Sequence, residues 1–344
     1  TATPFPSIPL RIRLPSTHFA RRLEMNRTIK CLVVGALALL TASVAAQSTY
    51  PSRPIRLIVP TPAGGPSDAA ARALAKGMTA ALGQEVLVEN RPGGNTGIGA
   101  GAVLNAAPDG YTLLFALASS AGLPHLSKSS PYKSLSEFAP ISTIGGNTQC
   151  LVVPATLPAR TLAEFATYAR ASGQPLMRGS NNVSEDMVAG QVTGALGFKL
   201  ERVPYKGAPQ MLPDLLEGRI QAAVLPVGAS IPHVRAGRLV MLGCSMSERI
   251  AALPTVPTLG ESGVAATPLI TAHFVLGPPR VPVEIVARLA AAVRQTALTP
   301  EFRQDMDRLL IVGAVRTPEE TRELISRAEA QYVQFVRDTG ASID

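Results

Sequence analysis

With 344 residues the chain has room for one large domain or two ordinary ones, and 46% hydrophobic against 16% charged residues excludes global disorder. The formal net charge of +8 invites a nucleic-acid reading, but residues 1–46 hold six Lys/Arg and one acidic residue, so +5 of that charge lies outside the expected fold. What remains has no basic run and no basic–aromatic interleaving, and no nucleic-acid partner is expected.

The N-terminal residues read as processing rather than fold. Residues 1–24 carry four arginines and scattered prolines, and read as an extension upstream of an initiator Met25. From Met25, Arg27 and Lys30 precede an uncharged run from Cys31 to Val44, with Val44 and Ala46 at the −3 and −1 positions of a small-residue cleavage site. Fourteen residues at about 1.5 Å each span about 21 Å, short of a bilayer core of roughly 30 Å. Residues 25–46 are therefore expected to be a cleaved signal peptide, and the mature chain periplasmic. No Leu-x-x-Cys stands at the cleavage site to carry a lipid anchor. Cys150 and Cys244 then sit in an oxidising compartment, where a disulfide is possible, but each lies in an apolar run (QCLVV, MLGCS), which favours two buried free thiols. His125, His233 and His273 are too far apart in sequence to suggest a metal site, and no cofactor is expected.

From Pro54 short apolar runs alternate with helical patterns. Ile55–Val59 is rich in β-branched residues and ended by Pro60, which predicts a buried strand. After the Gly/Pro loop 61–66, Ser67 or Asp68 is expected to cap a helix to about Leu82, because Ala71, Leu74, Ala75, Met78 and Leu82 share one face. Gly83 stands where such a helix ends. Residues 86–88 predict a strand, the turn RPGGNTG leads into a small-residue helix, and Thr112–Leu117 predicts a third strand. This alternation implies βαβ units and a largely parallel sheet. It restarts with a strand at 150–153, helices at 161–172 and 184–196, and further runs at 200–203, 211–217 and 220–225. A run at 274–276 and helices at Val283–Ala297, 300–310 and Pro318–Thr339 close the chain. Two α/β lobes suit this many strands better than one sheet.

The local feature with most chemistry is the strand–loop–helix from Val59 to Asp68. A Gly-rich loop entering a helix N-terminus gathers free N–H groups and a positive dipole end, which is an anion site; a plain helix cap with a tight turn is the equal alternative. Nucleotide sites fail on spacing: there is no G-x-x-x-x-G-K-[ST], and Gly97-Ile98-Gly99-Ala100-Gly101-Ala102 follows a turn rather than a strand. There is no G-x-S-x-G elbow and no H-E-x-x-H, and His233, opening a short helical stretch, reads as a surface or cap residue. The chain is not read as an enzyme.

Taken in order, YPSRPIRLIVP, AGGPSD, LGQEVLVENRPGGNTGIGA, AAPDGYTLL, VPYKGAPQMLPDLLEGRI, IPHVRAGRL, RIAALPTVPTLGESG and the C-terminal TPEE helix resemble the Bug-type extracytoplasmic receptors, the substrate-binding components of tripartite tricarboxylate transporters. The resemblance runs from about Tyr50 to Gly340. It implies a type II periplasmic-binding-protein fold, two α/β lobes with a hinge and a ligand cleft between them, lobe one being 50–147 plus 271–344 and lobe two 148–270. It implies an organic-acid or acidic amino-acid ligand, delivery to membrane carrier subunits, and a monomer. Carried over by position, Ala63, Gly64, Gly65, Ser67 and Asp68 match the carboxylate loop, with Thr61 in place of its usual Phe. Leu117, Ser119 and Ser120 match a second ligand loop; Ser180, Asn181, Asn182 and Ser184 match the loop that caps the ligand from lobe two; Tyr205, Gly207 and Ala208 match another rim loop. Departures cluster in lobe two, where the family's glycines become Asn181 and Asn182, its His becomes Met187, and Glu185 and Asp186 enter the helix start; His273 replaces a Trp. The two acids are expected to favour the helix N-terminus and face water, or else, if inside, to select a ligand with a nitrogen at its far end, Arg178 offsetting them. A receptor signalling to a membrane kinase, or an enzyme on the same scaffold, are the rival readings.

Overall fold

Ile55–Val59 (β1) is buried at four of its five positions, as a strand covered on both faces must be. The computed structural model describes residues 50–246, 248–250, 253–264 and 272–343; the upstream extension and signal segment read at 1–46 lie outside them. Pro66–Leu82 (α1) follows, its expected apolar face buried, and ends at Gly83, whose φ of 69° is the left-handed turn that glycine adopts without strain. Its start differs from expectation: Gly65 is the N-cap with Pro66 first in the helix, no side chain caps it, and Ser67 and Asp68 lie inside the first turn. Proline suits that first position because its missing N–H has no helical partner there.

Val86–Asn90 (β2), Gly97–Leu104 (α2) and Thr112–Leu117 (β3) complete two parallel pairings on β1. The chain then passes the short helix Leu123–Leu126 (α3), Ala139–Thr143 (β4), the two-residue strand Gly146–Asn147 (β5) and Gln149–Pro154 (β6). The second half-fold adds Leu162–Ala171 (α4), Leu176–Ser180 (β7), Val183–Leu196 (α5), Leu200–Pro204 (β8), Ala208–Leu216 (α6), Ala222–Pro226 (β9), Val227–Arg235 (α7) and Leu239–Cys244 (β10). The chain returns through His273–Gly277 (β11), Val283–Ala297 (α8), Pro300–Arg308 (α9), Ile311–Val312 (β12) and Pro318–Thr339 (α10). His233 therefore lies in the last turn of α7, not at its start.

Two five-stranded sheets result, ordered β2-β1-β3-β11-β4 and β10-β6-β9-β7-β8, and β12 pairs with β5. Each is largely parallel with one strand reversed: β11 runs against β2, β1, β3 and β4, and β6 runs against β8, β7, β9 and β10. The antiparallel strands are those that carry the chain from one sheet to the other, so each enters its sheet from the opposite end. An apolar cluster including Ile58, Leu114 and Phe274 of the first sheet and Leu151, Val153 and Val224 of the second is joined through Tyr332 and Phe335 of α10.

The same crossover corrects the cysteine reading. Antiparallel pairing of β6 with β10 sets Cys150 opposite Cys244, and the two form a disulfide with Cα atoms 4.0 Å apart. Apolar surroundings made free thiols the expectation; the strand register, which the sequence does not display, decides otherwise. Among the described residues no helix is long and apolar enough to cross a membrane, and no His/Cys/Asp/Glu cluster has a metal-holding arrangement.

Candidate functional site

The two sheets face each other across a narrow cleft whose first wall is the start of α1. Asp68 folds the 61–65 loop onto that helix: Oδ2 accepts from the Gly64 N–H and from Arg72 Nε, both at 3.0 Å, and Oδ1 accepts from Asn90 Nδ2 at 2.9 Å. Asn90 Nδ2 also donates to the Thr61 carbonyl at 3.0 Å. Burial alone would raise the Asp68 carboxyl, but these donors outweigh it and hold its pKa below the ordinary carboxylate value. Asp68 is thus a brace for the loop.

Ser67 points inward instead. Its Oγ lies 3.1 Å from His273 Nε2, and Asn147 Nδ2 approaches the same nitrogen at 3.3 Å. An amide nitrogen only donates, so Nε2 is the acceptor and the ring proton resides on Nδ1. Burial against Phe115, with ring centroids 5.0 Å apart, pushes the His273 pKa down to about 4, and the imidazole is neutral.

Two small cavities fill the cleft, about 20 Å³ and 40 Å³ in volume, room for roughly one to three waters. Leu117, Asn147, Gln149 and Asn182 border both; Ser119, Ser184 and His273 border the smaller; Thr61, Gly65, Ser67, Asn181, Glu185, Gly207 and Ala208 border the larger. Five buried polar atoms on residues of these walls have no hydrogen-bond partner within the protein: Thr61 Oγ1, Ser119 Oγ, Asn147 Oδ1, Gln149 Oε1 and His273 Nδ1. Buried polar atoms are normally paired, so five around one cleft mark a surface shaped for a polar occupant. The N-termini of α1 and α6, begun by Gly65-Pro66 and Gly207-Ala208-Pro209, meet at the larger cavity, and neither carries a side-chain cap. Two positive dipole ends on one cavity favour an anion.

The lobe-two wall departs from expectation. Asn182 caps α5, its Oδ1 accepting from the N–H groups of Ser184 (3.0 Å) and Glu185 (3.2 Å). Glu185 and Asp186 do not face water: they are 0% and 7% exposed. Asp186 is neutralised by Arg178 at 2.7 Å and Arg202 at 3.1 Å. Glu185 accepts from the Asn181 N–H (2.8 Å), Asn181 Nδ2 (2.6 Å) and Asn182 Nδ2 (2.9 Å). Burial, reinforced by Asp186, nevertheless raises its pKa to about 8.

Several expected residues do not reach the cavities. Ala63 and Gly64 are exposed on the outer side of the loop. Ser120 bonds Thr96 Oγ1 at 3.0 Å, and its carbonyl accepts from the Tyr132 hydroxyl. Ser180 closes onto the Asn182 carbonyl at 3.4 Å. Tyr205 donates its hydroxyl to Asp214 at 2.6 Å and borders an outer groove; burial and that partner push its pKa up to about 12. Asn147 and Gln149 were not anticipated. Their signal was present: two amides interrupting an otherwise apolar run at the crossover between sheets.

The walls also touch. A Cβ on Gly207 would lie 2.7 Å from Pro62 Cδ, and one on Gly228 2.7 Å from the Leu309 carbonyl. Arg202 Nη2 donates to Asn95 Oδ1 at 3.1 Å, and Ser184 Oγ lies 2.6 Å from the Tyr332 hydroxyl.

Comparison with known proteins agrees with this geometry. The family described as the tripartite tricarboxylate transporter family receptor matches residues 70–338. Protein BugT of Bordetella pertussis is 31% identical over 331 residues, 93% of this chain and 100% of BugT. The periplasmic binding protein BugD superposes with a TM-score of 0.79 at 26% identity, covering 85% of this chain and 99% of BugD. Rpa4515 of R. palustris, solved with adipate, gives a TM-score of 0.78 at 26% identity over 85% of this chain and 99% of its own. A two-lobed periplasmic-binding-protein fold, a cleft walled by two uncapped helix starts, and a match across most of its length place this chain in the tripartite tricarboxylate transporter family of receptors.

Proposed function

We propose that the mature chain is a periplasmic receptor that captures a small organic carboxylate between its lobes and presents it to the membrane carrier of a tripartite tricarboxylate transporter. The carrying observation is the convergence of the α1 and α6 N-termini on a cavity bordered by unpartnered Thr61, Asn147 and Gln149 atoms, with Ser119 beside it. One ligand carboxylate would sit at the α1 start, taking free N–H groups of the first turn and the hydroxyls of Thr61, Ser67 and Ser119. Leu117, Gly207 and Ala208 supply apolar and close-approach walls, while Asn181, Asn182 and Ser184 close from the other side. Asp68, Ser120, Ser180 and Tyr205 act behind this surface, holding its loops. The lobes divide as 50–147 with 271–344 and 148–270, and the chain works as a monomer. The 20 Å³ and 40 Å³ cavities are too small for a diacid, so entry requires the lobes to part about their crossovers and reclose. The adipate complex of a 26% identical relative supports a carboxylate ligand.

Capture raises apparent stability by mass action, about 2.7 kcal/mol at a hundredfold excess over Kd. A thermal-shift screen of the mature chain against mono-, di- and tricarboxylates is expected to give a concentration-dependent rise of several degrees for at least one acid, with the acid recovered unchanged. A flat response across the panel, or conversion of the acid, would overturn the reading.

A further inference from the structure

The free polar atoms of the cleft differ in kind, and that difference bears on the far end of the ligand. Thr61 and Ser119 offer hydroxyls, which donate or accept. Asn147 Oδ1 and Gln149 Oε1 only accept, both unpartnered, on side chains 6% and 7% exposed. Asn147 Nδ2 lies 3.3 Å from His273 Nε2, which leaves Oδ1 as the free atom of that amide. Glu185, fully buried, borders the same cavity as these two amides. Among the described residues no Lys or Arg lies within ion-pair distance of it, since Arg178 and Arg202 both close on Asp186. This side of the cavity therefore presents two amide oxygens and the Glu185 carboxyl, with no cation in contact. A second ligand carboxylate there would set its oxygens against the two amide oxygens and leave those unpaired.

Building on the proposed capture of a carboxylate, we infer that the ligand carries a protonated amine at the end facing Glu185, so that the cleft selects amino-substituted carboxylates over plain dicarboxylates. Three N–H donors on an ammonium match the Asn147 and Gln149 oxygens and the Glu185 carboxyl. The charged groups around Glu185 support the assignment. Asp186 on its own helix and Arg178 from β7 act on it directly, and Arg202 of β8 acts through Asp186. Strand β9 and the 118–121 turn bring no ionisable side chain, Cys150 of β6 is disulfide-bonded, Tyr332 of α10 is bonded to Ser184, and His273 is neutral. With its pKa at about 8, Glu185 holds its proton in most molecules at pH 7. An arriving ammonium displaces that proton to solvent and leaves an ion pair, whereas a carboxylate strengthens its retention.

The test is calorimetric titration of the mature wild-type chain at pH 7 with three series of three to six carbons: ω-amino acids, the diacids of equal length, and their monoamides. Running each in phosphate and in Tris separates proton release from binding heat. The best amino acid is expected to bind at least tenfold tighter than the diacid of its length and to release protons. In Glu185→Gln the amine-to-diacid ratio should fall to within threefold. Gln149→Leu should lower the same ratio, which guards against a Glu185 variant that folds poorly. A diacid or monoamide binding as tightly as the amine overturns the inference while leaving carboxylate capture intact; no binding in any series overturns capture too.

Discussion

Reduction of the Cys150–Cys244 bond should cost far more stability than its local contacts suggest. The bond closes a loop with a sequence separation of 94 residues, which contains most of lobe two. Cross-linking restricts the denatured chain, and for a loop near 100 residues the chain-entropy estimate is about 4.7 kcal/mol at 25 °C. For a chain of this size that corresponds to a fall in Tm of roughly 8 °C. Urea unfolding followed by circular dichroism, with and without a thiol-free reductant, checks it, alongside a Cys150→Ala/Cys244→Ala variant that also loses the sulfurs. The reduced protein should show a lower midpoint and a larger m-value, because its unfolded state exposes more surface. Ligand affinity should change little, since the pairing of β6 with β10 remains. Coincident unfolding curves for oxidised and reduced protein, or two free thiols by mass, would refute the reasoning.

Asp186→Asn leaves Arg178 and Arg202, with side chains 12% and 25% exposed, without their shared partner. A loss of about 3 kcal/mol is expected in urea unfolding, and a loss below 0.5 kcal/mol would contradict the buried-pair assignment. Asp68→Ala releases the Gly64 N–H, Arg72 and Asn90 together; ligand affinity should drop at least tenfold by calorimetry, while an unchanged affinity would deny Asp68 its bracing role. His273 has a folded pKa of about 4 against 6.5 unfolded, so between those values the unfolded chain binds the extra proton. That difference lowers stability by up to about 3 kcal/mol as pH drops from 6.5 to 4. It offsets Glu185, whose folded pKa of about 8 keeps a proton that the unfolded carboxyl has lost and so stabilises the fold as pH falls to 4.5. The wild-type midpoint should be nearly level between pH 6.5 and 4.5, and His273→Phe should make it rise on acidification.

Much of the fold was legible because its signals are local. The face of α1, the capping glycine Gly83 and the helix starts at Thr161 and Thr317 each follow from residue type and spacing over a few positions. The antiparallel strands β6 and β11 were legible only as apolar runs, since direction and register depend on where the chain crosses between sheets. The Cys150–Cys244 pairing went unseen for the same reason. In the site, the α1 loop and Asn181–Ser184 were found by position, but Asp68 and Tyr205 are polar residues whose partners lie elsewhere in the fold. Glu185 and Asp186 were misplaced because a carboxylate at a helix start is usually solvated. Here two arginines from adjacent strands and two asparagines of the preceding turn supply the partners that water would otherwise provide. Asn147 and Gln149 matter because the β5–β12 pairing and the start of β6 hold them at the crossover, a long-range arrangement invisible in their neighbours.

A crystal structure of the mature chain with the best-binding carboxylate tests the central claim most directly. One ligand carboxylate is expected at the start of α1, its oxygens within about 3.2 Å of first-turn N–H groups and of the Thr61 or Ser119 hydroxyl. The rest of the ligand should lie between Gln149 and Asn182. Density for the ligand in the outer groove beside Pro92 and Lys206 instead, with those hydroxyls uncontacted, would contradict it.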